Sequence, residues 1–184
     1  ANDMVVAGAA LVSQLQTIVA RNVDPIQSGV VTLGHFTAGT IGNVIAGEAQ
    51  IDGTIRALTQ EMNMHIQRRG RTITEGIALA YDCNIDLKLN QGGYYPVENN
   101  DAITADFIKY MQDDDDVNFI ETEPAMTGED FGYLIHQIPG TMFWLGVDSP
   151  YSLHSENMVP HTAAIMSGVN AMTGFLTHRN ALHK

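Results

Sequence analysis

The sequence predicts an α/β chain in two parts, and three observations carry that reading. Apolar residues recur at helical spacing in some stretches and at every second position in others, and the two kinds alternate along the chain. Residues 1–91 run in the order α-β-β-α-β, a ferredoxin-like split β-α-β unit lacking its first strand. A polar stretch, "NQGGYYPVENND", then leads into residues 92–184, where helix and strand patterns alternate as in part of an α/β layered domain.

The first helix is expected from Asn2 and Asp3, both good N-cap residues, to about Arg21. Met4, Leu11, Val12, Leu15, Ile18 and Val19 line its inner face, and Asp24-Pro25 stops it. The chain enters this helix with no initiator Met and no preceding strand, which suggests a natural start further upstream. "SGVVTLGHF" reads as a buried β-branched strand. "AQIDGTIRAL" alternates as a strand, with Ile51, Gly53 and Ile55 on one face and Asp52, Thr54 and Arg56 on the other. The Gly-rich "TAGTIGNVIAGE" connects the two. A second helix is expected over about 60–81 on Met62, Ile66, Ile73, Ile77 and Ala80, followed by a strand at "NIDLKL". Beyond the polar stretch the pattern gives helix 101–112, strand 117–121, helix 128–137, strand 141–145 and helix 161–178, with "DDDD" at 113–116 as a solvated turn.

Nine basic against twenty-one acidic residues give a net charge of -12, which argues against nucleic acid or an anionic membrane as partner. No apolar run is expected to span a bilayer and no basic-then-apolar leader opens the chain, so a cytoplasmic location is the plain inference. The single cysteine, Cys83, excludes an internal disulfide and has no activating base nearby.

Few residues stand out for chemistry. His154 follows the run Trp144-Leu145-Gly146 on a polar loop; it is either an ordinary loop histidine or a metal ligand. His35, His65, His136, His178 and His183 make no i, i+4 pair with a helical Glu, so the chain carries no self-contained metal motif. In "EPAMTGEDF", Thr127 or Gly128 starts a helix with Glu129 and Asp130 in its first turn. That is simple capping, or a loop of small residues presenting backbone N–H groups to a polar substrate. Asn43 in the Gly-rich loop and Arg56 on a polar strand face are a turn residue and a solvated cation, or they converge to grip a carboxylate.

"LVSQLQTIVARNVDP", "VVTLGHFTAGTIGNVIAGEAQIDGTIRAL", "AMTGEDFGYLIHQIPGTMFWLGV" and "LHSENMVP" resemble, in order and spacing, the C-terminal half of the metal-dependent aminoacylase and carboxypeptidase-type amidohydrolases. The branch is the one containing hippurate hydrolase and the plant auxin-conjugate hydrolases. The resemblance implies a catalytic α/β domain with two divalent metal ions (zinc, manganese, cobalt or nickel), interrupted by a lid domain that forms a homodimer. Residues 1–91 resemble that lid without its first strand, and residues 92–184 the returning C-terminal part of the catalytic domain. His154 matches the family's C-terminal metal ligand, Asn43 and Arg56 match lid residues that grip the substrate carboxylate, and Gly128 and Glu129 match a segment lining the site. After "VP" the family has acidic residues where this chain has His161-Thr162-Ala163.

The family's other metal ligands, its general-base Glu and the lid's oxyanion-stabilising His would lie ahead of residue 1. The implied activity is hydrolysis of a small N-acyl amino acid by metal-activated water, with the isolated chain inactive. The alternatives are a hippurate-like substrate or, for the isolated chain, a non-catalytic dimerisation module that pairs through an open sheet edge.

Overall fold

A computed structural model describes residues 2–182, so His183 lies outside the described residues. The chain divides into two compact units. The first comprises the residues up to Glu98 together with Pro124–His136, and the second comprises Asn99–Glu123 and the chain from Gln137 onward.

In the first unit, helix α1 (Met4–Asn22) starts where the Asp3 carboxylate accepts from the Val5 N–H at 2.9 Å, and it ends at an extended Val23 just before Asp24-Pro25. Strands β1 (Gly29–Ala38) and β2 (Ala49–Ala57) form an antiparallel hairpin, the only sheet among the described residues. The register runs from Gly29 opposite Ala57 to Ala38 opposite Ala49, with one irregularity between Leu33 and His35. Gly34 is therefore the extra residue of a β-bulge, which shifts the strand's alternation by one. Helix α2 (Gln60–Ala80) is capped by the Thr59 hydroxyl, which accepts from the Met62 N–H at 3.2 Å, and carries Glu61 in its first turn.

Both helices pack on one face of the hairpin. Ala7, Leu11, Ile18, Ala57, Ile66 and Ile77 form the buried contact. Gly8 lies under the Phe36 ring and Gly29 under Ile66, where an added Cβ would sit 2.6 Å from each side chain. Small residues thus set how closely helix and sheet approach.

Helix α1 corrects one expectation. At 19 residues and a mean hydropathy of 1.4, it is long and apolar enough to cross a membrane. Its stripe of Ala7, Gly8, Leu11 and Ile18 is buried against the rest of the unit, which accounts equally for that composition.

The strand expected at "NIDLKL" does not form a ladder. Ile85, Leu87 and Leu89 are half-buried and the residues between them exposed, so the alternation is real, but the segment pairs with no strand. Strand assignment needs a hydrogen-bonded neighbour, and periodicity cannot supply one. The expected strands at 117–121 and 141–145 also lack a ladder.

In the second unit, helix α3 (Asp101–Gln112) is capped by Asn100, whose side chain accepts from the Ile103 N–H at 3.1 Å. Within residues 131–137 lies the short helix α4 (Phe131–Gln137), almost all of it in the first unit, and the last helix is α5 (Ala163–Leu182). The core of the second unit joins α3 and α5 through Phe107, Met111, Ala171 and Phe175. Phe107 stacks on Phe143 at 4.8 Å between ring centroids and meets Phe175 edge-on at 5.0 Å. At the rim, the Asp106 carboxylate accepts from Arg179 Nη1 at 3.0 Å and from His178 Nε2 at 3.4 Å. Burial pushes the Asp106 carboxyl up, but the bonds from Arg179 and His178 outweigh it and hold the group below its ordinary range.

Two outcomes follow for stability. Ile66 is fully buried and Leu79 is 85% exposed, so Ile66→Ala should cost about 2–5 kcal/mol in urea unfolding and Leu79→Ala within about 0.5 kcal/mol. Because the folded Asp106 carboxyl is depressed, its contribution is complete above the usual carboxylate range and is lost as pH falls through that range, from about 4 downward. Asp106→Asn should therefore lower the unfolding temperature, followed by fluorescence of the lone Trp144, at neutral pH, and the gap from the unsubstituted chain should close in acid.

Candidate functional site

The hairpin fixes where two of the candidate residues stand. Arg56 lies on the exposed face of β2, opposite Val30, near the strand's C-terminal end. Asn43 sits at the other end, in an exposed turn of the β1–β2 connection closed by the Val44 N–H on the Ile41 carbonyl at 3.2 Å. The Gly39 N–H on the Glu48 carbonyl, at 3.2 Å, continues the pairing one step beyond Ala38 and Ala49. Seven steps along the extended strand take the chain from Ala49 to Arg56, about 24 Å at the usual rise. One hairpin therefore holds Asn43 and Arg56 at opposite ends.

Arg56 does have near neighbours. Its Nη1 donates to the Ile55 carbonyl at 3.0 Å, leaving the rest of the guanidinium without a carboxylate partner among the described residues. A Cβ added at Gly128 would stand 4.0 Å from Arg56 Nη2 and 3.7 Å from Tyr94 Cδ1. Arg56, Gly128 and Tyr94 thus converge within the first unit. Glu129, next in sequence, is half-buried.

The helix expected from Thr127 or Gly128 begins later, at Phe131. The Glu129 and Asp130 carbonyls accept from the N–H groups of Gly132 and Tyr133, at 3.3 and 3.1 Å, so they form the turn leading into α4. Within α4, Gly132 lies against the Tyr95 and Pro96 carbonyls, with no room for a side chain.

Tyr94 was not foreseen, because the surrounding residues read as a linker. Its position comes from side-chain bonding. Gly92 and Gly93 adopt positive φ of 63° and 88°, turning the chain, and the Tyr94 N–H bonds the Gln91 carbonyl at 3.0 Å. The amides of Gln60 and Gln91 bond each other reciprocally at 3.0 and 2.7 Å, and Glu98 accepts from the Gln60 N–H at 2.8 Å. The stretch that resembled a linker is tied to the start of α2. The one available signal was "QGG" followed by paired tyrosines.

His154 belongs to the second unit. It is the third residue of a turn closed by the Ser155 N–H on the Ser152 carbonyl at 3.2 Å, and it is exposed. Its φ is 67°, in the left-handed region where every L-residue pays a Cβ penalty that glycine does not. Holding a histidine where glycine would be the easy choice costs backbone energy and aims an imidazole off the turn into solvent. Among the described residues no group of three or more His, Cys, Asp or Glu side chains gathers to hold a metal ion. One imidazole does not make a dinuclear centre, so this chain's residues do not by themselves fit such a group. Cys83 is half-buried where α2 ends, its N–H on the Ala78 carbonyl at 3.0 Å.

The model of peptidase family M20/M25/M40 matches residues 3–178. Over all 184 residues the chain is 98% identical to an N-acetyldiaminopimelate deacetylase of Lactiplantibacillus plantarum and covers 48% of it. A second N-acetyldiaminopimelate deacetylase, from Ligilactobacillus salivarius, is 71% identical over 97% of this chain and 47% of the relative. The chain therefore spans about half the length of the curated relatives it matches. Among solved structures, an aminohydrolase from methicillin resistant Staphylococcus aureus superposes with a TM-score of 0.81 at 26% identity, over 96% of this chain and 46% of that one. A Bacillus subtilis dinuclear metal binding peptidase of the M20 family shares the fold, with a TM-score of 0.74 at 22% identity over 94% and 45% of the two chains.

The strained turn gives a direct test. His154→Gly should raise the stability of the second unit by about 1 kcal/mol, because glycine accepts positive φ without a Cβ penalty. An unchanged or lowered unfolding temperature for that variant contradicts the reading of a histidine held against backbone preference.

Proposed function

The chain belongs to peptidase family M20/M25/M40, and from that premise we propose that it is the C-terminal half of a metal-dependent amidohydrolase. Its reaction is hydrolysis of the N-acetyl amide of N-acetyl-LL-2,6-diaminopimelate, giving acetate and LL-diaminopimelate for lysine and diaminopimelate biosynthesis in the cytoplasm. The observation that carries this reading is the 98% identity, across the whole chain, with an N-acetyldiaminopimelate deacetylase.

Residues 1–91 act as a ferredoxin-like lid and residues 92–184 as the returning part of the catalytic α/β domain, although 92–98 and 124–136 of that part fall in the same compact unit as residues 1–91. The remaining length of the relatives completes that domain. The segments 117–121 and 141–145, which read as strands and have no ladder partner among the described residues, support this, as does the exposed stripe of Ile165, Val169, Met172 and Leu176 on α5. His154 supplies one donor to a pair of divalent ions whose other ligands come from that remaining length.

Arg56 binds the substrate α-carboxylate as a bidentate partner, with Gly128 leaving space beside the guanidinium and Tyr94 forming a wall. That contact orients the amide rather than reacting with it. Asn43 reaches a site from the opposite end of the hairpin, so it serves the neighbouring subunit of a homodimer formed through the lid. A second reading, that the 184 residues alone are a non-catalytic dimerisation module, draws on the two open edges of the hairpin and the lone imidazole.

The 184-residue chain alone should release no acetate from N-acetyl-LL-diaminopimelate and hold no stoichiometric metal. Joined to the remaining half of the Lactiplantibacillus plantarum relative, it should turn over that substrate in preference to hippurate. In the joined protein, His154→Ala should lower metal content and rate together, by tenfold or more on the scale typical of lost metal ligands and their supports. Full metal occupancy with full rate in that variant removes His154 from the metal site, and equal rates on hippurate favour a broader N-acyl amino acid hydrolase.

A further inference from the structure

The face of the β1–β2 hairpin turned away from α1 and α2 carries four cross-strand pairs in a row. They are Val30 with Arg56, Thr32 with Thr54, His35 with Asp52, and Thr37 with Gln50. All eight residues are exposed. The row is polar apart from Val30, and its charges are sorted: a guanidinium stands at one end, a carboxylate two pairs along, and two threonine hydroxyls between them. Four residues of strand put the Cα atoms of Arg56 and Asp52 about 13 Å apart.

The carboxylate is held in place. Asp52 Oδ2 accepts from His35 Nδ1 at 3.0 Å and from Gln50 Nε2 at 2.9 Å, while Oδ1 has no hydrogen-bond partner among the described residues. The bonds from His35 and Gln50 hold the Asp52 carboxyl below its ordinary range, which keeps it ionised. Two donors on one oxygen fix the group's orientation and leave the second oxygen open to a further donor. The bulge at Gly34 is what brings His35 onto this face; without it, His35 would point with Val31 and Leu33 toward the helices.

We propose that this face recognises two of the substrate's three charges, Arg56 taking the α-carboxylate beside the scissile amide and Asp52 taking the primary ammonium at the far end of the same molecule, whose second carboxylate points away from the hairpin. The inference rests on the amidohydrolase reading above and deepens it by naming the feature that is selected, a second amine. The arm of Arg56, the open Asp52 oxygen and a heptanedioic skeleton between them share the span, with Thr32 and Thr54 lining it. A net charge of -12 disfavours purely anionic substrates, and a distal ammonium offsets part of that repulsion. The alternative role for the same residues is a cross-strand pair that steadies the hairpin beside its bulge. That role alters stability alone and leaves substrate preference untouched.

The experiment uses this chain joined to the remaining half of the Lactiplantibacillus plantarum relative. It compares kcat/KM for N-acetyl-LL-diaminopimelate and for N-acetyl-2-aminopimelate, which lacks only the distal amine. The unsubstituted protein should prefer the diamino substrate by about tenfold or more, as a charge-assisted hydrogen bond provides. Asp52→Asn should collapse that ratio toward one, Asp52→Glu should restore part of it, and unfolding temperatures should confirm that both variants fold. A ratio that Asp52→Asn leaves unchanged, or equal rates in the unsubstituted protein, overturns the assignment while leaving the amidohydrolase reading intact. Failure to cleave either compound, or any N-acyl amino acid, overturns both.

Discussion

A two-stranded sheet has two faces and one register, and burial of one face against α1 and α2 decides which residues stand on the other. Val31, Leu33, Phe36, Ile51 and Ile55 go inward, so Arg56, Thr54 and Asp52 must go outward. A slip of one residue would carry Arg56 into the apolar layer, where an unpaired guanidinium costs far more than any packing gain. The face that carries the chain's candidate chemistry is thus enforced by the core beneath it. The bulge at Gly34 adjusts the rule on β1 alone, placing His35 beside Asp52 and Phe36 beneath the helix, over Gly8.

The two kinds of candidate residue are positioned by different means. Arg56 and Asp52 stand on a strand each of whose residues faces a partner on β1, so the ladder and the packing beneath it hold them. His154 and Tyr94 stand on turns, and local bonding holds them: a closed turn with positive φ for the first, and the Gln60–Gln91 amide pair with two glycines for the second. Turns of this kind aim a side chain at a cost in backbone energy, and the rest of the fold must offset it. A histidine kept at φ 67° is for that reason more informative than the same histidine on a helix face.

The helices were legible in the sequence, because caps and 3.6-residue spacing are local. Asp3, Thr59 and Asn100 each accept from the first turn of their helix, at 2.9, 3.2 and 3.1 Å. The hairpin was legible through alternation, and the facing of Arg56 with it. The ladders expected at 84–89, 117–121 and 141–145 were not to be had from one sequence, since a ladder is a property of two segments and alternation reports on only one. Tyr94 was missed for a related reason. Its place depends on Gln91 meeting Gln60 across thirty-one positions, and no spacing rule reaches that far. The close fit of Gly132 on the Tyr95 and Pro96 carbonyls was out of reach for the same reason, since it joins α4 to a stretch some thirty-six positions away.

The stretch at 141–145 makes the point about ladders in detail. The backbone of Met142 has strand-like needs, and they are met by a side chain. Asn99 accepts from the Met142 N–H at 2.8 Å and donates to its carbonyl at 3.0 Å, giving to one residue both bonds that an adjacent strand would give. The Asn100 N–H adds a bond to the Gly140 carbonyl at 2.9 Å. A primary amide has the same donor and acceptor as a peptide group, so Asn99 can stand in for a single step of a ladder but cannot continue it. Phe143 therefore still turns inward onto Phe107 while Trp144 and Leu145 stay exposed. The apolar character that made this run read as a strand is only half used among the described residues. The unused half, like the outer stripe of Ile165, Val169, Met172 and Leu176 on α5, is apolar surface that nothing covers among the described residues.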